Sequence, residues 1–498
     1  MPPDEVLSGS PLARLREDSA MARIVILGGG ISGLALASRL EQRLPEVDVL
    51  ILERQARLGG TIDTIRHDGF QVEAGPNGFL DNKPSTLSLC RDVGLGDRLI
   101  AASEASARNR FLLLDCRLRL FPGGLWSFLR SDVLSWRAKL SLFFERWRPG
   151  RRGYDDESID AFVRRRAGGE VARTLADAFV TGIYAGDPKV LSVQAALPRL
   201  AAMERDHGSV LRGMSLARKQ RRAEAAARGE SAPRLTGRMW SFREGLALLI
   251  DTLRERLRQR PIIGVATRAV RRLSDGRWRI EAEGRDGWDA DAVALTCPAY
   301  QQATLLADED SALAERIDGI PYNRVAVVAL GFRAADVRHR LDGFGYLSPQ
   351  RQRRDVLGVQ WCSSIFPDRA PPGLVLLRAM CGGWHRGEVV DWDETRLLHA
   401  MRDELAQSMA IHAAPVFHHV VRWPKAIPQY LVGLLDRVAA IDEGVARHPG
   451  LFLGGNAYRG VALNDCVEQA ELLAGRIAGY VRGGERGPAP NLFRPAWS

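Results

Sequence analysis

Gly28, Gly30 and Gly33 follow the apolar run "RIVIL" in G-x-G-x-x-G spacing, and a second apolar run, "VDVLILE", ends at Glu53, twenty residues after Gly33. Glycines let a backbone come close to a diphosphate, and the helix that starts there points its free amides, with their partial positive charge, at the same place. An acid some twenty residues on reaches a ribose hydroxyl. The implied chemistry is dinucleotide binding, with Ile31, Ser32 and Arg54 inside the same candidate site.

The stretch beyond the acid bears on which dinucleotide it is. Gly59, Gly60 and Thr61 follow almost at once, and "VEAGPNGF" brings Gly75, Pro76, Asn77 and Gly78. Consecutive glycines here let the chain fold back across the phosphates towards an isoalloxazine ring, which a nicotinamide enzyme does not need. Taken alone, Gly59-Gly60 also reads as a plain turn before an extended run. Near the other end, "GLFLGGNAYRGVALNDC" gives a buried strand ending at Gly455 and Asn456. A helix is expected to begin within Val461 to Asp465, with Val461, Ala462 and Leu463 at its mouth. Amides there would stabilise the negative charge that a reduced flavin carries over N1 and the C2 oxygen. Asp465 and Glu468 have capping-box spacing, a structural role rather than a catalytic one.

These turns need a sheet to carry them. Arg23–Leu27 reads as a buried parallel strand, "ADAVALTCPA" as a strand returning to the same sheet, and "RAVRRLSDGRWRIEAEG" as a hairpin turning at Asp275-Gly276. A chain of 498 residues calls for two or three domains. Its six cysteines show neither C-x-x-C nor zinc spacing, which fits free thiols in a reducing compartment. The net charge of +10 is spread along the chain without a nucleic-acid motif, so a basic surface is the simpler reading. Residues 1–20 are polar and lack an apolar signal core; they read as a tail or as an extension before a start at Met21. No Ser/His/Asp set, metal cluster or HExxH is present, and the His418-His419 pair reads as packing or surface.

Together these features resemble the protoporphyrinogen oxidase family of the FAD-dependent amine oxidase and desaturase superfamily. "GGGISGL", "ERQARLGG" and "VEAGPNGF" carry the superfamily likeness. "NRFLLL", "VTGIYAGDPKVLS", "HGSVLRG", "GFGYL", "IPQY" and "GNAYRGVALNDC" carry the narrower one, in the expected order. The resemblance implies an α/β architecture: a discontinuous Rossmann-like FAD-binding domain (21–88, 240–300, 445–485), an α+β substrate domain (89–122, 301–444) and a helical membrane-associating domain (123–239). It implies FAD as cofactor and a tetrapyrrole substrate. Arg110 matches an arginine that pairs with a propionate, Gly182 and Ala185 match backbone lining the pocket, and Phe344, Leu347 and Met380 match apolar residues sandwiching the macrocycle, with Phe366 as a further ring contact. Without the resemblance, those four apolar residues read as ordinary core. The implied reaction is hydride removal from a methylene bridge to flavin N5, repeated three times, with oxygen as final acceptor; it calls for positioning more than for a strong base. Coproporphyrinogen oxidation and other flavin amine oxidase or desaturase chemistry remain the alternatives. So does an FAD-retaining binding protein without catalysis.

The stretch Phe121 to Arg152 combines Trp126, Trp136 and Trp147 with seven basic and two acidic residues. Tryptophan and arginine on one amphipathic surface suit an interface with anionic lipid, or else a helix packed on its own domain. The expected setting is cytoplasmic and peripheral to a membrane, with hand-over of product to the next enzyme of the haem pathway and a homodimer left open. The tract Arg218 to Arg234 reads as an exposed charged loop or loose helix.

Overall fold

A computed structural model of the chain describes residues 21–151, 153, 155–227 and 237–483. The chain divides into two compact units: one from Met1–Gly60, Leu249–Gly319 and Arg437–Ser498, the other from Thr61–Leu248 and Ile320–Asp436.

The first unit is built on four parallel strands in the order Leu451–Leu453, Ala292–Leu295, Arg23–Leu27, Asp48–Leu52. The strands are apolar almost throughout because the sheet is buried on both faces, and Ile24, Val25 and Ile26 are fully inaccessible. The helix Ile31–Arg43 leaves the first strand, and the long helix Leu463–Val481 lies along it. Arg43 pairs with Glu471 between the two helices. The expected hairpin is present as Thr267–Arg272 and Trp278–Ala282, turning at Gly276 with φ +86°. Arg285–Ala290 extends it to three strands. The expected returning strand pairs with Arg23–Leu27 in register from Ile24↔Ala292 to Leu27↔Leu295.

The second unit holds a seven-stranded sheet in the order Phe417–Trp423, Val325–Arg333, Leu374–Gly382, Val356–Trp361, Gly345–Leu347, Phe111–Leu114, Arg117–Leu120. One face, with Val328, Leu330, Tyr346, Val359, Leu377 and Ala379, is covered by Leu397, Met401 and Leu405 of the helix Glu394–Met409. The opposite face carries a cross-strand row of Leu347, Gly358, Met380 and Val327, and beside it a row of Gly345, Gln360, Arg378 and Ala329. Phe70 and Val72 pack on one end of that face, Ala185 on the other. Glycine is required at one position in each row: a Cβ at Gly345 would fall 2.0 Å from Val359 O, and one at Gly358 2.5 Å from Tyr346 O.

The helical segment belongs to the same compact unit as this sheet. The fully buried Arg166 knits it together, pairing with Glu145 and Glu204 and donating to the carbonyls of Arg148, Pro149 and Gly208 at 3.0–3.1 Å. Ser209 Oγ and the amides of Val210 and Leu211 donate to Glu145 at 2.7–3.2 Å. This network explains "HGSVLRG": Gly208, at φ +70°, turns the chain so that three donors after it converge on one carboxylate. A buried ion pair survives only with its remaining hydrogen bonds satisfied in this way.

The tryptophan-rich stretch is not a single amphipathic helix. It folds as Leu125–Arg130 and Trp136–Phe143 followed by a 3-10 turn, Phe144–Trp147. The break arises because Val133 and Leu134 dip into the core between the helices. Trp126, Trp136, Phe143, Phe144 and Trp147 are all more than half exposed. The tract beginning at Arg218 is helical to Ala227, and the rest of it, like residues 1–20 and Arg152, lies outside the described residues. Among the described residues no helix is long and apolar enough to cross a membrane.

Candidate cofactor and substrate sites

In the first unit the glycine turn sits at the carboxyl end of the central strand. Gly28 has φ +117°, and a Cβ at Gly33 would lie 2.0 Å from Gly28 O, so strand and helix meet there with no room for a side chain. Thr296 Oγ1 ties the turn from the adjacent strand, 3.2 Å from Leu27 O and 3.1 Å from Gly28 O. Gly30 differs: a Cβ there meets nothing within 4 Å. The helix starts at Ile31, leaving the first amides, Ile31 and Ser32 included, aimed at that open space. A diphosphate fits where Gly30 faces nothing.

Glu53 is buried, and its carboxylate accepts from Gly29 N at 2.6 Å and Gln55 N at 2.7 Å. These two bonds fix the carboxylate beside the turn, with further acceptor capacity for a ribose hydroxyl. Arg54 is exposed beside it. Gly59 and Gly60, at φ +102° and +60°, fold the chain back over the turn. Gly59 N donates to Gly29 O at 2.8 Å, and a Cβ on Gly60 would sit 3.6 Å from the Gly30 Cα. Arg57 holds the fold-back by donating to Gly60 O at 2.8 Å. Gly59-Gly60 is thus a turn before the strand Thr64–His67, as the plainer reading expected, and it also folds the chain back over the glycine turn at Gly29 and Gly30.

Gly455, at φ +99°, ends the strand two places across the same sheet, and Asn456 follows it. Gln302, fully buried, donates to Cys297 O at 2.6 Å and Gly454 O at 2.9 Å and accepts from Tyr458 Oη at 2.6 Å. It locks the late glycine turn to the loop that braces the early one. Sequence reading missed Gln302; a glutamine among apolar residues just after a strand was the available signal. The last helix starts at Leu463, so Val461 and Ala462 lead into its open amides. Asp465 is therefore the third helical residue rather than the cap, and it reaches back to Ala462 N at 3.1 Å. The box expected at Asp465 and Glu468 is displaced because extended backbone at Ala462 begins the helix earlier. The early and late turns thus flank one sheet edge, as one long ligand held from both sides requires.

In the second unit the loop 75–78 is pinned on both sides. A Cβ on Gly75 would lie 2.0 Å from the carbonyl of Thr61, and one on Gly78 2.6 Å from Trp240 O. Two residues on the second sheet face hold it by its carbonyls: Trp423 Nε1 donates to Ala74 O at 2.9 Å, and Arg378 donates to Gly75 O. Between Gly75 and Gly78, next to Pro76, Asn77 is buried with Nδ2 lacking any hydrogen-bond partner among the described residues. A buried amide donor left unpaired costs on the order of 1–3 kcal/mol, which a ligand acceptor removes. Arg378 and Trp423 were missed in the sequence because alternation marks a strand face but not what hangs from it.

The residues matched to a tetrapyrrole pocket fall into three contacts on this unit. The Arg110 guanidinium lies 5.5 Å from the Phe344 ring centroid, and Phe344 shares an apolar cluster with the buried Phe366. Gly182, on the helix Asp177–Tyr184, approaches so closely that a Cβ would sit 2.9 Å from Leu347 Cδ1. Ala185 packs with Val325 and Leu357 against Met380. The cross-strand row joins the last two, since Leu347 and Met380 flank Gly358. His418 is bonded to Glu394 at the surface, 2.9 Å away, and no described group of residues could hold a metal.

Residues 31–478 match the Flavin containing amine oxidoreductase family. The chain belongs to that family. It is an FAD-dependent oxidoreductase, and the open space at Gly30 in the first unit fits that cofactor. Within the family, the chain is 33% identical to the chloroplastic protoporphyrinogen oxidase of Nicotiana tabacum, over 96% of this chain and 88% of that one. It is 28% identical to the coproporphyrinogen III oxidase of Bacillus subtilis (strain 168), over 90% and 96%. A solved structure, that of a provisionally assigned protoporphyrinogen oxidase of Exiguobacterium sp. 255-15, superposes with a TM-score of 0.78 at 28% identity, over 93% of this chain and 99% of the other. The likeness to the protoporphyrinogen oxidases that the motifs suggested thus runs the length of the flavoenzyme.

Two outcomes follow. Gly33→Ala should destabilise even the FAD-free protein, whereas Gly30→Ala should leave its melting temperature unchanged and raise the FAD dissociation constant at least about tenfold; equal FAD affinity for Gly30→Ala removes the diphosphate from that space. Asp177, on the pocket helix, is buried, and burial reinforced by the Asp187 carboxylate pushes its carboxyl up to about 6. A raised folded value means that stability is fully present below the unfolded value and is lost as pH rises through the folded one. Asp177→Asn should therefore gain stability relative to wild type between pH 4 and pH 7, up to about 3 kcal/mol, read from denaturant melts at each pH. A pH-independent difference would show that Asp177 is not held neutral.

Proposed function

We propose that this flavoenzyme oxidises protoporphyrinogen IX to protoporphyrin IX. The observation that carries the reading is the Arg110 guanidinium stacked on Phe344, which itself packs on Phe366. A cation for a propionate beside aromatic faces for a macrocycle is what a carboxylated tetrapyrrole needs. Leu347, Met380, Gly182 and Ala185 supply the close apolar walls. In the first unit, Gly28, Gly30, Ile31, Ser32 and Gly33 would hold the diphosphate of FAD, Glu53 a ribose, and the amides around Val461 to Leu463 the pyrimidine edge. FAD when bound supplies a two-electron acceptor at N5. Each round removes a hydride from a methylene bridge and a proton from a pyrrole nitrogen. Three rounds take six electrons and six protons, which three molecules of oxygen carry away as three of hydrogen peroxide. Nothing in the pocket set is a strong base, so the proton leaves to solvent and the residues act by orientation and exclusion of water.

Coproporphyrinogen is the second reading, favoured by relatives that carry that name. It has four propionates, and Arg110 is the one cation matched to the pocket, which supports the substrate with two. We further propose that the exposed Trp126, Trp136, Phe143, Phe144 and Trp147, interleaved with Arg130, Arg137 and Arg146, lie on an anionic membrane surface, where a poorly soluble substrate and product collect.

The purified protein should be yellow, and protoporphyrinogen should bleach its flavin band without oxygen; intact FAD that stays oxidised refutes the substrate. Arg110→Ala should raise the half-saturating porphyrinogen concentration about tenfold or more, the loss of one charge-assisted hydrogen bond, with less effect on bleaching at saturation. Unchanged affinity would take Arg110 out of the pocket. In flotation with vesicles containing an anionic phospholipid, replacing Trp136 and Arg137 by alanine should lower the bound fraction, and equal flotation speaks against the membrane face.

A further inference from the structure

We infer that two buried side-chain amides, Asn323 and Gln429, are positioning residues for the substrate pocket, because they hold the end of the helix Asp177–Tyr184 in a backbone conformation that its own sequence disfavours. The inference rests on the proposed tetrapyrrole reading of that pocket. The helix ends at Ala185, whose φ of +45° is left-handed, a conformation usually reserved for glycine at a helix end. Four hydrogen bonds from three donor groups compensate. Asn323 Nδ2 reaches Tyr184 O at 2.6 Å and Ala185 O at 3.0 Å, Gln429 Nε2 reaches Tyr184 O at 2.9 Å, and the Trp384 amide reaches Ala185 O at 2.8 Å. Carbonyls at a helix terminus have no partner within the helix, so here side chains supply it.

Both amides have fixed orientations. Asn323 Oδ1 accepts from Ile427 N at 3.1 Å, and Gln429 Nε2 also donates to Ile427 O at 3.1 Å. Asn323 is 3% exposed and Gln429 is fully buried, so water cannot substitute for either. Gln429 Oε1 has no hydrogen-bond partner among the described residues. The side chain is therefore used for its donors alone, at the cost of a bare buried oxygen. The neighbouring glycines are shaped to the same clamp: a Cβ on Gly186 would lie 2.4 Å from Gln429 Oε1, and one on Gly383 2.7 Å from Ala185 O. What the clamp sets is the position of Gly182 against Leu347 and of Ala185 against Met380, the two contacts by which this helix meets the second sheet face.

Gln429→Glu and Asn323→Asp keep volume but turn a donating NH2 into an oxygen facing a carbonyl. Gln429→Met, neutral and similar in length, guards against a fold lost to a buried charge. All three should bind FAD at the wild-type ratio, and their dithionite-reduced flavin should reoxidise in air at the wild-type rate. The protoporphyrinogen concentration that half-saturates anaerobic flavin bleaching should rise about tenfold or more, while the saturating bleaching rate falls less. Folded variants with wild-type half-saturation overturn the inference, as do variants in which FAD content and reoxidation fall in step with bleaching, since that is general destabilisation. If porphyrinogen fails to bleach the wild-type flavin, the substrate reading fails first and the inference with it.

Discussion

At the carboxyl end of the central strand, the Gly28 carbonyl oxygen occupies space that any Cβ on Gly33 would need, the two being 2.0 Å apart. This contact lets the first helix start almost on the strand. It brings the helix amides to the sheet edge, leaves the open volume at Gly30, and allows Glu53 to be captured by Gly29 N. The fold-back at Gly59 and Gly60 depends on it as well, because that segment bonds to Gly29 O. One forbidden methyl group thus sets the geometry of three segments, and the late turn at Gly455 completes the edge through Gln302.

The second unit solves a related problem by other means. Its loops must be held at fixed heights over one sheet face, and they are held by their carbonyl oxygens. Trp423 and Arg378 take Ala74 O and Gly75 O, and Asn323 and Gln429 take Tyr184 O and Ala185 O. Arg378, Asn323 and Gln429 are buried and Trp423 is half-buried, so these bonds are poorly traded for ones to water, and releasing them would strand polar groups. The face between these loops keeps glycine at 345, at the end of one row, and at 358, inside the other.

Several motifs that read separately in the sequence are single devices in the structure. "TGIYAGDP", "IPQY" and the glycines after Met380 meet in one clamp, although Gln429 stands 245 residues from Tyr184. "HGSVLRG" exists to deliver Ser209 and two amides to Glu145. The Phe121 to Arg152 stretch read correctly as aromatic and basic, yet its division into two helices was hidden. Val133 and Leu134 break it by burying themselves against residues that periodicity within the stretch does not contain. The displaced cap at Asp465 has the same origin, since the start of the helix depends on how Ala462 is held.

By itself the sequence determined whatever depends on backbone freedom and local alternation. That includes the two glycine turns, the acid after the second strand, the parallel strands, the Asp275-Gly276 hairpin, the cofactor class and the family. These are legible because a left-handed φ or a two-residue period leaves its mark on neighbouring letters. Tertiary structure alone decided which buried amide faces which carbonyl, why an alanine stands left-handed at 185, and which loops hang over the second face of the large sheet. Such choices follow from the desolvation of polar groups brought together from distant segments, and a linear pattern does not record which carbonyl a buried donor will meet.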